Sequence, residues 1–194
     1  MNGSLCRHGN RTMLVIHPKD KTTAMLAALY AGEQVRLLDQ TFSKAEINHH
    51  LHHTSRSERI MLLGHGSDKG LFSRDNDEQD LFDRLLVYHP HAYFLRKHGS
   101  NIVALWCNAD LFARKEGLHG LFSGMIISEL NEALVYEVPT TQSELDEENV
   151  KLARRLRTLL DESIPLSDIP QRMFELNDTH TPLTDFNYSH FYYL

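Results

Sequence analysis

Residues 58–72 read ERIMLLGHGSDKGLF. The apolar run Ile60–Leu63 is short and bounded by a glycine, which reads as a buried strand over Arg59–Leu63. It stops at Gly64-His65-Gly66, with polar residues and a further glycine behind it. A loop uses glycine to reach positive φ, but it has no conformational need for an imidazole between two glycines. Either His65 is incidental to a tight turn, or the backbone around it is cleared so that something can approach.

The same grammar repeats on both sides of this stretch. Thr12–His17 (TMLVIH) reads as a buried strand ended by Pro18, and Lys21–Ala31 as a helix closing at Gly32. Gln34–Asp39 is a second strand. Ser43–His53 is a helix with Ser43 as N-cap and Glu46 at the capping-box position. Downstream, a hairpin falls near Gly70, a helix over Gln79–Lys97 bends around Pro90, and NIVALWC (101–107) is a fourth strand. GLFSGMIIS (120–128) is a short apolar stretch. After it, Glu129–Ala133 reads as the start of a helix and 134–138 (LVYEV) as a rival strand, which periodicity does not separate. Asp146–Leu160 is a helix whose acidic first turn and later Lys151, Arg154, Arg155 and Arg157 suit the helix dipole. The aromatic tail DFNYSHFYYL packs on the core in preference to forming a ligand platform.

Strands that are nearly continuous in apolar residues and alternate with helices imply an α/β fold. The expected form is a three-layer sandwich around a mostly parallel central sheet. The 194 residues fit one domain, with 1–11 as a loose N-terminal segment. The formal charge of −6 comes with acidic and basic residues mixed along the chain, so no basic face favours nucleic acid. No apolar run reaches membrane-spanning length and the N-terminus lacks a signal-peptide core, so a cytoplasmic location with no membrane partner is expected. Two cysteines, Cys6 and Cys107, make no disulfide framework and no zinc motif. Cys6 reads as an unpaired surface thiol. The chain has 13 histidines, and NHHLHH (48–53) puts His49 and His53 on one helix face at a metal-binding spacing. Without HExxH or a nearby cysteine, that pair reads as a solvated face, and neither a metal nor another cofactor is expected.

In parallel α/β sheets the site lies at the carboxyl ends of the strands. The third strand ends at His65 and the fourth at Cys107. A thiol and an imidazole at one sheet edge supply a nucleophile and its acid/base. The N–H groups of Gly66 and Cys107 would receive a developing oxyanion. The rival reading is structural, since free cysteine is among the most buried residue types and histidine sits readily in glycine-rich turns. Serine chemistry is disfavoured because Ser123 in GLFSG falls one place late for a nucleophile elbow. No GxxxxGK[ST] points to phosphate transfer.

An apolar strand ending in His-Gly (IMLLGHGS), then one ending in cysteine (NIVALWCNAD) 42 positions after the histidine, resembles the caspase-like cysteine peptidases. That group spans caspases, metacaspases, legumains, clostripain, gingipains, separase and CHAT-domain proteins. The resemblance covers about residues 12–138, and its specific part is the two strand ends. It implies His65 as general acid/base, Cys107 as nucleophile, the Gly66 and Cys107 amides as oxyanion hole, and cleavage of a peptide or protein substrate after a selected P1 residue. The caspases proper carry Gln-Ala-Cys-x-Gly, whereas Leu105-Trp106-Cys107-Asn108-Ala109 stands here, so no P1-aspartate preference is carried over. Asp68 and Asp110 near the implied site would favour a basic P1 residue, or serve as turn residues and caps. Two rivals stand beside the peptidase: an idle caspase-like binding or regulatory domain, and a histidine-rich metal-binding protein. Oligomeric state is not legible.

Overall fold

The computed structural model describes residues 12–73 and 84–194. Four short strands form the parallel heart of the fold: β1 Met13–Ile16, β2 Val35–Leu38, β3 Arg59–Leu63 and, further along, β7 Ile102–Leu105. Between the last two lie β4 His65–Ser67, β5 Gly70–Ser73 and β6 Arg84–Tyr88, which make a separate three-stranded antiparallel sheet. β8 Leu121–Ser123 and β9 Phe191–Tyr193 complete the main sheet in the order β2-β1-β3-β7-β8-β9. All its pairings are parallel except β8 with β9. The fold is α/β with a mixed, mostly parallel six-stranded sheet.

The central strands β1, β3 and β7 are buried on both faces, as their apolar runs require, whereas edge strand β2 carries Arg36 and exposes Leu37. Leu14, Ile16, Ile60, Leu62, Ile102 and Ala104 point into one cluster, against α1 Lys44–His53, α2 His89–Leu95 and α3 Ala109–Glu116. Their alternating neighbours Met13, Val15, Met61, Leu63, Val103 and Leu105 point into a second cluster. Its partners include α5 Gln142–Asp161 and α6 Ile169–Glu175. Two more helices, α4 Leu130–Val135 and α7 Pro182–Tyr188, pack together with the front of α5 through Ala133, Leu183 and Leu145.

Helix α1 starts where its cap predicts. The Ser43 hydroxyl accepts the Glu46 N–H, and Glu46 accepts the Ser43 N–H at 2.7 Å. Three expectations need correction. Lys21–Ala31 is not an α-helix but holds a 3-10 helix, Ala24–Leu29. An Asp20–Thr22 turn takes up its first residues, and its last carbonyls are held from outside by Arg157 of α5, which donates to Leu29 O and Ala31 O at 3.1 Å each. The bent helix Gln79–Lys97 is instead strand β6 followed by α2 and a 3-10 turn at Arg96–His98 (79–83 lie outside the described residues). Pro90 sits in the first turn of α2, where its missing N–H costs no hydrogen bond, so it opens a helix there. The rival strand at 134–138 does not form: the chain is in α4 to Val135, with Leu134 and Val135 exposed.

Elsewhere the expectations hold or extend. The hairpin near Gly70 is β4–β5, and the aromatic tail packs on the core by pairing β9 to β8. Helix α5 begins before Asp146, because the Thr141 hydroxyl accepts the Glu144 N–H. No helix among the described residues is long and apolar enough to cross a membrane.

Arg157 also pairs with Glu33 and Asp161 at 2.7 Å, so one guanidinium closes the 3-10 segment onto α5. Arg157→Ala is expected to cost about 2–3 kcal/mol in urea unfolding, because carbonyls lose their donors. Arg157→Lys should recover little, since an ammonium lacks the planar fork.

Candidate active site

Strands β3 and β7 run in parallel register from Ile60↔Ile102 to Leu63↔Leu105, and the Gly64 N–H donates to Leu105 O at 3.1 Å. Past that bond the two chains part. Gly64 takes φ +141°, a conformation side chains rarely adopt, and turns the chain into β4 with His65 as its first residue. On the other strand the Trp106 N–H donates to the Ser123 hydroxyl, which donates back to the Trp106 carbonyl. The serine of GLFSG is thus a buried cross-link between β7 and β8. A turn from Trp106 O to Ala109 N, with Asn108 left-handed at φ 68°, then starts α3 and leaves Cys107 at the bend.

The tryptophan before the cysteine joins the two strand ends. Its indole lies against Gly66, where a Cβ would overlap the ring and the Gly70 carbonyl, and its Nε1–H donates to Ser67 O at 3.0 Å. A glycine at 66 is therefore required by packing, whatever else its backbone does.

His65 and Cys107 line one small cavity together with Thr23, Met25, Gly64, Trp106, Ile126 and Ser128. Its volume is about 30 Å³, on the scale of a water or two. His65 is 6% exposed. Its Nε2 lies 2.6 Å from the Thr22 hydroxyl, 3.4 Å from Asp20 Oδ1 and 3.8 Å from Glu129 Oε1. Burial alone would raise the Asp20 pKa, but hydrogen bonds from His65 and Thr22 outweigh it and hold the carboxyl well below the usual range. The Cys107 thiol meets Ile126 O and Glu132 Oε1, both at 3.6 Å. Burial first, then the charge of Glu132, pushes the thiol up to about 12, so it rests protonated at neutral pH.

The segment beside the thiol is fixed by side chains. Asn187 accepts the Ile127 N–H at 2.8 Å and donates to Ile127 O, which also takes a bond from Asn149. Glu132 is held in turn by the N–H groups of Ser128 and Glu129.

The other anticipated residues fall elsewhere. Asp68 is exposed in the β4–β5 turn, and Asp110 is buried in the first turn of α3 with Arg114 at 3.8 Å. Neither lines the cavity. Cys6 lies outside the described residues. The His49 and His53 rings lie against each other, tilted by 38° with centroids 4.1 Å apart, and no group of three or more metal-ligating side chains forms among the described residues. Sequence reasoning missed Asp20, Thr22, Glu129 and Glu132. For the first two a signal existed, since they follow β1 at the same sheet edge that drew attention to His65 and Cys107. Glu129 and Glu132 carried no such mark. No known protein family, curated protein or solved structure matches the chain.

Glu132→Gln removes the negative charge beside the thiol and should lower the Cys107 pKa by about one unit or more. The pH profile of iodoacetamide alkylation at Cys107 is the measurement; an unmoved profile would show that Glu132 does not set the thiol's state.

Proposed function

We propose that this chain is a caspase-like cysteine peptidase in which Cys107 is the nucleophile and His65 the acid/base. The observation that supports this reading most is that both residues line one cavity at the carboxyl ends of adjacent parallel strands. The core clusters on the two faces of the sheet agree with a three-layer sandwich of that kind. In the reaction, His65 takes the thiol proton as sulfur attacks the scissile carbonyl carbon. The proton then passes to the leaving amine as the C–N bond breaks, giving a thioester and a free amine. Water, deprotonated by His65, hydrolyses the thioester to a carboxylic acid and restores the thiol. The Cys107 N–H makes no hydrogen bond among the described residues, in keeping with a role beside the Gly66 N–H in holding the oxyanion. A basic P1 preference from Asp68 and Asp110 is not part of this proposal, because neither lines the cavity.

A second reading, an idle caspase-like binding or regulatory domain, is favoured by the small cavity and by a thiol pushed up to about 12. A protonated resting thiol is compatible with turnover if proton transfer to His65 accompanies attack, so the two readings differ in reactivity toward a substrate-like electrophile. A panel of peptidyl acyloxymethylketones should label Cys107 in the wild type, and His65→Ala should slow that labelling at least a hundredfold, within the range for loss of a general base. Mass spectrometry locates the adduct. Labelling of Cys107 no faster than that of an ordinary exposed thiol by every probe would leave the idle domain.

A further inference from the structure

We infer that Asp20, acting through the Thr22 hydroxyl, fixes His65 as the tautomer protonated on Nε2, which leaves the basic lone pair on Nδ1. The argument is a count of protons. The Thr22 Oγ1 lies 2.6 Å from Asp20 Oδ1 and 2.6 Å from His65 Nε2. A hydroxyl has one hydrogen and two acceptor lone pairs. A separation of 2.6 Å between two oxygens needs a proton between them. Asp20 does not supply it, since its Oδ1 already accepts the Thr22 N–H at 2.8 Å and an aspartate at neutral pH is ionised, an acceptor only. The threonine proton is therefore spent on Asp20, and Thr22 meets the imidazole with a lone pair. The hydrogen in the short contact between Thr22 and His65 then has one source, the ring itself at Nε2.

The surroundings of Nε2 agree with this. Two carboxylate oxygens also lie near it, Asp20 Oδ1 at 3.4 Å and Glu129 Oε1 at 3.8 Å, and both favour an N–H facing them over a lone pair. Asp20 is itself placed by the backbone, because its Oδ1 also accepts the Thr22 N–H at 2.8 Å. The Asp20–Thr22 turn that displaces the start of the expected helix thus ends as the support of an imidazole. Asp20 and Thr22 are positioning residues, and a neutral ring with a fixed tautomer presents one defined base to its surroundings.

The inference deepens the peptidase reading in that a single base on His65 matters to catalysis only if His65 is one. Its test does not depend on turnover. Long-range 15N–1H spectra of the histidine rings, with His65 assigned by loss of its signals in His65→Gln, are recorded at a pH where that ring is neutral. The wild type should show a protonated-type shift at Nε2 and an unprotonated-type shift at Nδ1. Thr22→Val, which keeps shape and removes the hydroxyl, should give averaged shifts from a tautomer mixture. Asp20→Asn should do the same, and Thr22→Ser should retain the wild-type pattern. On a cleaved peptide, Thr22→Val should lower kcat about tenfold or more with KM within about twofold, the pattern of a group that acts in the transition state. A wild-type ring protonated on Nδ1, or a Thr22→Val ring unchanged from wild type, overturns the inference. The fixed Nε2–H tautomer in a protein whose Cys107 no probe labels upholds it and removes the peptidase reading instead.

Discussion

The hydrogen bond from the Gly64 N–H to the Leu105 carbonyl is the last rung of the central ladder, and the geometry of the site is set from it. Up to that rung the two strands are bound in register with buried side chains on both faces, so a one-residue slip would exchange the side chains of the two packed cores and disrupt both. Beyond it each chain has one residue in which to leave the sheet. Gly64 does so by a backbone conformation that excludes other residues, and Trp106 by locking both its amide and its carbonyl to Ser123. The indole then reaches back over Gly66 to Ser67, so the strand that ends in cysteine holds the strand that ends in histidine. The bulky Trp106 just before the cysteine is thus the residue that couples the two strand ends.

Carboxylates do opposite work on the two sides of the cavity. On the histidine side, Asp20 Oδ1 and Glu129 Oε1 lie 3.4 and 3.8 Å from the ring Nε2, and the contact helps to hold the Asp20 carboxyl below its usual range. On the cysteine side, Glu132 approaches a thiol whose charged form it opposes, on top of the cost of burial. One cavity therefore joins an imidazole bordered by two carboxylates to a thiol that is hindered from losing its proton. In the proposed peptidase, the nucleophile would then appear only as that proton moves during attack.

The parallel core was legible in the sequence because β1, β3 and β7 carry uninterrupted apolar runs that burial on both faces explains. His65 and Cys107 were legible because the carboxyl-end rule applies to those same strands. Helix α1 was legible from its cap. The misread elements share a different cause. Ala24–Leu29 has the composition of an α-helix, and its geometry was decided by Arg157, more than a hundred positions away. Arg84–Tyr88 is apolar enough for either structure, and its pairing with β5 chose strand. Asp68 and Asp110 were singled out for nearness in sequence to the two motifs, whereas the groups in contact with His65 come from the end of β1 and the start of α4. Nearness along the chain is a poor guide once a sheet brings several strand ends together.

What the cavity excludes also follows from residues. A volume near 30 Å³ is on the scale of water and not of a peptide, so the proposed peptidase would need its substrate to displace something that now borders the thiol. Ile126 is a poor candidate: its neighbour Ile127 is bound through both backbone groups by two buried asparagines from α5 and α7. Trp106 is bound through its amide, its carbonyl and its indole. Glu132 differs in being held by the Ser128 and Glu129 N–H groups and the Ser128 hydroxyl, which lie just ahead of a short helix whose Leu134 and Val135 face solvent. In the proposed peptidase, a rotation of that side chain would open space beside the thiol while the two strand ends stay fixed. The same rotation would take away one of the charges that oppose the thiolate, leaving burial and Glu129 as the other opposing influences. Access to the cysteine and its ionisation would in this way be linked through Glu132.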